Sequence, residues 1–201
     1  MATPYPIRPE VCAFEPYSPG LSIDEIRQRF GLDSVIKMAS NENPLGASPV
    51  VQRVIRNRAD QIFRYAQAGN PKLVEALARH HELDASLIVP GNGSDEVIDL
   101  LIRVCPSPGV HNVVACKPSF NMYRVQSRLC GVDFRQVPPP PDSSFDWQGL
   151  LHAVHSQTAP VLMTPPDNTP AHCPPLDEVQ RFARELPATR LLGGEERSRD
   201  G

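Results

Sequence analysis

The segment from residue 88 to 104, IVPGNGSDEVIDLLIRV, places a glycine-rich turn directly before a helical pattern. Its two glycines let the backbone approach a ligand closely, because they carry no side chain. The amides of Gly93, Ser94 and Asp95 then lie at the positive end of the helix dipole, which favours a phosphate. The same residues also fit an ordinary helix capped by Asn92, since two glycines without a third are a weak phosphate-binding fingerprint.

Two further segments with chemical potential follow apolar runs that predict strands. KPSFNMY begins at Lys117 after VVAC and carries Phe120, whose flat ring could stack on a heteroaromatic ligand. TPPDNTPAHCPP begins at Thr164 after PVLM and carries Asn168, whose amide could donate to a ligand oxygen. The carboxyl ends of parallel strands meet at one edge of a sheet, so all three segments are predicted to share that edge. Taken singly, Phe120 could equally be a core residue, and the segment around Asn168 favours an Asx turn over a ligand site.

Five motifs occur together in an order and spacing that resemble the histidinol-phosphate aminotransferases: MASNENPLGASP, FRYAQAGNPKL, GNGSDEVIDLLIRV, KPSFNMYRV and PPDNTPAHCPPLDEV. The resemblance extends from about Tyr5 to Leu192. It implies an α/β fold, namely the large domain of a fold-type I pyridoxal 5'-phosphate (PLP) transferase with alternating helices and a mostly parallel sheet. That domain would be incomplete here and preceded by an N-terminal arm. The activity implied is amino-group transfer between histidinol phosphate and 2-oxoglutarate, in histidine biosynthesis.

The resemblance also implies which residues would bind the cofactor. Gly93, Ser94 and Asp95 would bind the phosphate of pyridoxal 5'-phosphate, chiefly through the amides of the last two. Phe120 matches the aromatic residue that stacks on the pyridine ring. Asn168 matches the asparagine that hydrogen-bonds the phenolic oxygen of the ring.

Further positions match residues that face a substrate or a second subunit. Tyr65 corresponds to a tyrosine that reaches the cofactor phosphate of the partner subunit, so the resemblance implies a homodimer. Tyr17 and Asn43 fall on positions that line the substrate pocket. The substrates implied are a small-molecule amino donor and a 2-oxo acid.

The sequence departs from the family pattern where the covalent chemistry would occur. Transamination requires a Schiff-base lysine, which in the family follows the asparagine motif. The lysines of this chain, Lys37, Lys72 and Lys117, all precede Asn168, so no catalytic residue is assigned and no turnover by this chain alone is expected. Glu195 aligns with the family's ring-nitrogen aspartate, but its longer side chain would place the carboxylate differently, so we do not expect it to serve.

These departures leave three interpretations. The chain is the N-terminal part of a histidinol-phosphate aminotransferase truncated before the catalytic lysine, which is the interpretation that five motifs in register favour. In the second interpretation, the chain is the corresponding part of another fold-type I aminotransferase, because the residues that would select the substrate are missing. In the third interpretation it is a non-catalytic protein that binds PLP or dimerises.

The elements that must position these residues are predicted from caps and hydrophobic spacing. Helices are predicted after Ser22, Ser48, Asn70 and the glycine turn, and over Phe120–Cys130, PPLDEVQRFARELP and, more weakly, FDWQGLLHAV. Their predicted buried faces include Leu73, Val74, Leu77 and Ala78 in one helix, and Val97, Leu100, Leu101 and Val104 in another. The predicted strands are SLIV, HNVVAC, VDFRQV, APVLMT and TRLL. Residues 1–34 are assigned to an arm and one helix, 35–192 to the partial large domain and 193–201 to a divergent tail.

Composition limits the kinds of partner. The 201 residues are 40% hydrophobic and 21% charged, which is typical of a globular protein, and the net charge of -3 disfavours nucleic acid. No apolar stretch approaches the roughly 20 residues of a membrane span, and a cytoplasmic location is expected. The five cysteines form no CxxC pair and predict reduced thiols, mostly buried. His152 and His155 lie three apart on a possible helix without a third ligand, so no metal site is predicted.

Overall fold

Four parallel strands and eight α-helices make up the described part of the chain, which in this computed structural model comprises residues 6–12, 21–38, 43, 45–140, 145–163 and 174–194. The helices are α1 (Pro9–Cys12), α2 (Ile23–Phe30), α3 (Pro49–Arg58), α4 (Pro71–His81), α5 (Ser94–Val104), α6 (Asn121–Leu129), α7 (Trp147–Ala153) and α8 (Leu176–Glu185). The strands are β1 (Asn112–Cys116), β2 (Asp133–Val137), β3 (Thr158–Met163) and β4 (Leu191–Gly194). The predicted α/β fold with a parallel sheet is confirmed.

The sheet has the strand order β2-β1-β3-β4, and every neighbouring pair is parallel. At its centre, Ala115 of β1 pairs with Leu162 of β3, which in turn pairs with Gly193 of β4. The chain passes from β1 to β2 on one side and later to β3 and β4 on the other. The crevice between the carboxyl ends of β1 and β3 is therefore the topological switch point, where open α/β sheets bind ligands.

Each face of the sheet packs against a helical layer. On one face, Ile98 and Ile102 of α5 and Tyr123 of α6 pack in one apolar cluster with Val113 and Ala115 of β1. On the opposite face, Leu150 of α7 and Phe182 of α8 pack with Val114, Val161 and Met163. The alternation arises because successive side chains of a strand point to opposite faces. The helix that follows β1 and the helix that follows β3 thus lie on opposite faces.

The chain divides into two compact units. One comprises Met1–Glu15 with Gly91–Asp200 and contains the sheet, whereas the other comprises Pro16–Pro90 and contains α2, α3 and α4. The described residues of α2, α3 and α4 include none that is buried. The predicted buried stripe of α4 is accordingly wrong: Leu73 is 49% exposed, and Val74, Leu77 and Ala78 are only half-buried.

The inward face of α5 also differs from its prediction. Ile98 and Ile102 are the buried residues of this helix, and Leu101 is half-buried, whereas Val97, Leu100 and Val104 are exposed. Six of the eleven residues of α5 are aliphatic, so the apolar pattern extends around much of the helix and does not define one arc. Packing against β1 and α6 selects the arc that contains Ile98 and Ile102.

The predicted strand SLIV is wrong, because Ala85–Leu87 forms a 3-10 helix. The Asp84 carboxylate accepts a hydrogen bond from the Ser86 amide at 2.8 Å, and the Ile88 amide donates to the Ala85 carbonyl at 3.3 Å. This local side-chain to backbone bond competes with an extended conformation. The other four predicted strands are present, although β4 is shifted relative to TRLL: it begins at Leu191 and continues to Gly194, within the predicted divergent tail.

The predicted helix starts are confirmed at Ser22 and Ser48. Ser22 and Glu25 form both bonds of a capping box, at 2.7 and 3.1 Å, and Gly31 ends the helix in the left-handed region with φ 62°. The helix after Asn70 also begins as predicted, at Pro71, but the asparagine side chain makes no capping bond.

The predicted burial of the cysteines holds for one described thiol only. Cys130 is buried, Cys116 is half-buried, and Cys12 and Cys105 are exposed. None of these four forms a disulfide, as expected. The described residues include no helix with the length and apolarity that crossing a bilayer requires.

Candidate functional site at the carboxyl edge of the sheet

The glycine turn leads into α5 with a conformation that only glycine adopts readily. Gly93 is the N-cap residue, with φ 81° and ψ 176°, a region that disfavours residues with a Cβ atom. Gly93 has no side chain that could accept bonds from the first-turn amides, and Ser94 and Asp95 begin the helix on an exposed surface. The helix therefore presents its positive end without a capping side chain from the N-cap position.

Glu96 fixes the shape of this turn. Its Oε2 accepts hydrogen bonds from both the backbone amide and the side-chain amide of Asn92, the second at 3.1 Å. A Cβ atom placed on Gly91 would lie 3.0 Å from Cγ2 of Val97 and 3.2 Å from that same Oε2. The turn is thus folded closely onto the first turn of α5, and Asn92 binds Glu96 instead of capping the helix.

The charged neighbours of Cys130 indicate that α5 runs in the same direction as α6. Burial raises the pKa of this thiol, and the nearby charges of Arg103 and Asp99 act on it in opposite senses. Cys130 follows the last residue of α6, whereas Asp99 is the middle residue of α5 and Arg103 is its second-to-last residue. Because Arg103 and Cys130 bring the C-terminal ends of the two helices together, both helix N-termini lie at the same end. That end is the carboxyl edge of the sheet, since α6 follows β1.

Phe120 lies at this edge, between β1 and α6. It is the N-cap residue of α6 and is half-buried against the apolar cluster that includes Ile98. Its ring meets the Tyr123 ring edge to face, with centroids 6.1 Å apart and planes at 87°. The Tyr123 hydroxyl donates to the carbonyl oxygen of Met163, the last residue of β3, at 3.0 Å. Phe120 therefore flanks the switch point between β1 and β3.

The remaining predicted residues are located as follows. Tyr65 belongs to the unit Pro16–Pro90 and is fully exposed, in a groove of about 470 Å³ that is also lined by Arg58, Arg64 and Lys72. Asn43, in the same unit, is exposed, and its Oδ1 accepts a bond from the Leu45 amide at 2.9 Å. Tyr17, Asn168 and Glu195 lie outside the described residues.

Among the lysines, Lys117 lies at the carboxyl end of β1 and is exposed, and its backbone amide donates to the Val137 carbonyl at 2.7 Å. Lys37 and Lys72 belong to the other unit. Among the described residues, the backbone amides at the start of α5 and the ring of Phe120 fit the phosphate and the ring of a phosphorylated heteroaromatic cofactor.

Two residues of this site were missed by sequence reasoning. Glu96 stands at the third position of α5, where a carboxylate commonly bonds back to the preceding turn, and that spacing is the signal for it. Tyr123 stands three residues after Phe120, a spacing that places two aromatic side chains on one side of a helix start.

His155 lies away from this edge, beside the first residues of β1 and β3. Its Nε2 is 3.1 Å from Nδ2 of Asn112 and also contacts Nη1 of Arg135. Within the ranges that the structure describes, no three His, Cys, Asp or Glu residues are grouped so that they could hold a metal ion.

An open parallel sheet with a glycine-led helix N-terminus and an aromatic ring beside its switch point defines the class of α/β proteins that bind phosphorylated cofactors. Within that class, the chain belongs to the aminotransferase class I and II family, whose sequence model matches residues 33–192.

Relatives in this family support the assignment. The chain is 57% identical over 186 residues to the histidinol-phosphate aminotransferase of Oleidesulfovibrio alaskensis. The alignment covers 92% of this chain and 49% of that protein. The chain is 54% identical over 192 residues to the same enzyme of Nitratidesulfovibrio vulgaris, with coverage of 96% and 52%. The chain therefore spans about half the length of these relatives.

A solved structure shows the same fold. The histidinol-phosphate aminotransferase of Sinorhizobium meliloti, in complex with pyridoxal 5'-phosphate, matches with a TM-score of 0.83 and 27% identity. The match covers 95% of this chain and 50% of that one.

Proposed function

We propose that this chain is the cofactor-phosphate-binding part of a histidinol-phosphate aminotransferase, a cytoplasmic enzyme of histidine biosynthesis. The whole enzyme would transfer an amino group between histidinol phosphate and 2-oxoglutarate. The observation that carries the proposal is the N-terminus of α5, led by Gly93, at the same sheet edge as Phe120. The identities of 57% and 54% to relatives with that name support the choice of substrate.

The cofactor in this proposal is pyridoxal 5'-phosphate, which supplies an electron sink for chemistry at the substrate carbon. The amides of Ser94 and Asp95 bind its phosphate, and Gly93 allows the backbone to come close. Phe120 offers its ring to one face of the pyridine. Asn168 donates to the phenolic oxygen, and Tyr17 and Asn43 line the substrate pocket.

We also propose that the functional assembly is a homodimer. In it, Tyr65 reaches the cofactor phosphate of the partner subunit. The full exposure of Tyr65 and the cations Arg58, Arg64 and Lys72 around its groove support this role, because they create a positive surface suited to an anion. Sedimentation velocity tests the assembly: twice the 22.2 kDa of one chain is expected, and a monomer at all concentrations would contradict it.

We propose that the phosphate-binding part of the cofactor site lies within this chain, so its test uses a ligand that needs no Schiff-base lysine. Pyridoxine 5'-phosphate is the appropriate probe, because it lacks the aldehyde and its binding cannot depend on a lysine. Titration followed by the fluorescence of the pyridine ring should give a saturable curve that inorganic phosphate reverses by competition. Unphosphorylated pyridoxine is the matched control and should bind at least about tenfold more weakly, because it makes none of the charge-assisted bonds. Equal binding of the two compounds, or no binding of either, would refute the proposal.

A further inference from the structure

We infer that Tyr123 is a positioning residue for the cofactor ring, acting through Phe120. The inference rests on the proposed function, because it concerns how Phe120 is held where the pyridine is proposed to stack.

Tyr123 is fixed at three points. Its side chain is 2% exposed within the apolar cluster of Ile98, Val113 and Ala115. Its amide donates to the Phe120 carbonyl at 3.1 Å in the first turn of α6. Its hydroxyl donates to the Met163 carbonyl at 3.0 Å, across the switch point. A buried phenol hydroxyl needs such a partner, and here the partner is the last residue of the adjacent strand.

Phe120 has fewer constraints of its own. It is only half-buried, and it precedes α6 instead of lying within a regular element. Its ring forms an edge-to-face pair with the Tyr123 ring, with planes at 87° and centroids 6.1 Å apart. An edge-to-face pair of this kind favours one ring orientation over others. The direction of the Phe120 ring is thus tied to the carboxyl end of β3.

The consequence of this arrangement is preorganisation. A ring that is already held in one orientation loses little freedom when a ligand stacks on it, and this raises affinity without an additional contact. Without its hydroxyl, the Tyr123 side chain keeps its apolar packing but is no longer tied to β3. The Phe120 ring then has to be ordered when the ligand binds. Only the ring of the ligand is affected, because the phosphate is bound through α5.

The test compares two ligands in the Tyr123→Phe variant. The dissociation constant of pyridoxine 5'-phosphate should rise about threefold to tenfold, the usual effect of one buried hydrogen bond. The affinity for inorganic phosphate, measured by phosphorus NMR titration, should be unchanged. The induced circular dichroism of the bound pyridine band should also weaken, since that signal reports ring immobilisation and is insensitive to global stability.

Ser127→Ala is the matched control. Ser127 is also buried in α6, and its Oγ donates to the Tyr123 carbonyl at 2.7 Å. This variant should lower the melting temperature comparably while both ligand affinities stay as in the wild type. A double variant supplies a second criterion: in a Phe120→Leu background, Tyr123→Phe should cause no further loss of pyridoxine 5'-phosphate binding.

The outcomes separate the inference from the proposed function. If the wild type binds pyridoxine 5'-phosphate and Tyr123→Phe binds it equally well, the positioning role is refuted and the proposed function stands. Equal weakening of both ligands would mean that Tyr123 acts on overall structure only, which also refutes the inference. If the wild type itself does not bind, the proposed function fails and the inference fails with it.

Discussion

The carboxylate of Glu96 accepts hydrogen bonds from both amides of Asn92, so the first turn of α5 is tied to the glycine turn that precedes it. This relationship explains how a flexible Gly-Asn-Gly sequence keeps one shape. The shape matters because a phosphate is bound by amides only when they converge on it.

Glu96→Ala should loosen the turn and weaken binding of pyridoxine 5'-phosphate by about threefold to tenfold, because the bonds to Asn92 are lost. Glu96→Gln keeps an oxygen that can accept the same bonds, and its affinity should lie closer to that of the wild type. Fluorescence titration of both variants checks this. If Gln and Ala weaken binding to the same degree, the hydrogen bonds to Asn92 are not what maintains the turn.

Gly93→Ala should abolish measurable cofactor binding and destabilise the fold by about 1–2 kcal/mol, because φ 81° is strained for a residue with a Cβ atom. Gly109→Ala is the matched control: Gly109 has φ 70°, with open space around the position of a Cβ, and lies before β1. The Gly109→Ala variant should lose a similar free energy of unfolding in chemical denaturation, and its ligand binding should be unchanged. A Gly93→Ala variant that binds as well as Gly109→Ala would contradict the assigned role of the turn.

Ile102→Ala should lower the free energy of unfolding by about 2–5 kcal/mol, as expected for a large aliphatic residue removed from a core. Ile102 is 0% exposed. Val104→Ala, on the same helix but 78% exposed, should change the stability by less than about 0.5 kcal/mol. Urea unfolding measures both losses of stability. A larger loss in Val104→Ala than in Ile102→Ala would mean that the face predicted from the sequence, and not the observed one, is buried.

Cys130 should make the stability depend on pH in the alkaline range. Burial raises the pKa of its thiol above the ordinary value of 9.0, so the folded state retains a proton that the unfolded state loses. The unfolded state then binds fewer protons, and the contribution of this group to stability falls as pH rises above 9.0. Urea unfolding at a series of pH values should show a smaller decline in Cys130→Ala, in which the thiol is absent. An identical pH dependence in both proteins would exclude this group as the cause.

The sequence predicted the sheet better than it predicted the helix faces. Asn112–Cys116 and Thr158–Met163 are short, apolar and rich in β-branched residues, and this signal is local. The inward face of α5 depends on which neighbour it packs against, and that information lies in α6 and β1, far along the chain. The strand expected at SLIV failed for a local reason, since Asp84 turns the backbone with its own side chain.

The candidate site was predictable in its parts and not in its connections. Gly93 and Phe120 are recognisable from composition and from motif order. The bond of Tyr123 to Met163 is not, because it joins residues 40 positions apart in sequence. Such contacts become visible only when the strand order β2-β1-β3-β4 is known.

An amide NMR titration of the nitrogen-15-labelled chain with pyridoxine 5'-phosphate tests the phosphate site most directly. The amide resonances of Ser94 and Asp95 should shift the most and move downfield, as expected for amides that donate to a phosphate. Inorganic phosphate should reproduce these two shifts, whereas shifts around Phe120 should require the ring. If the resonances of the Ser94 and Asp95 amides do not shift while the chain becomes saturated with ligand, the N-terminus of α5 is not the phosphate site.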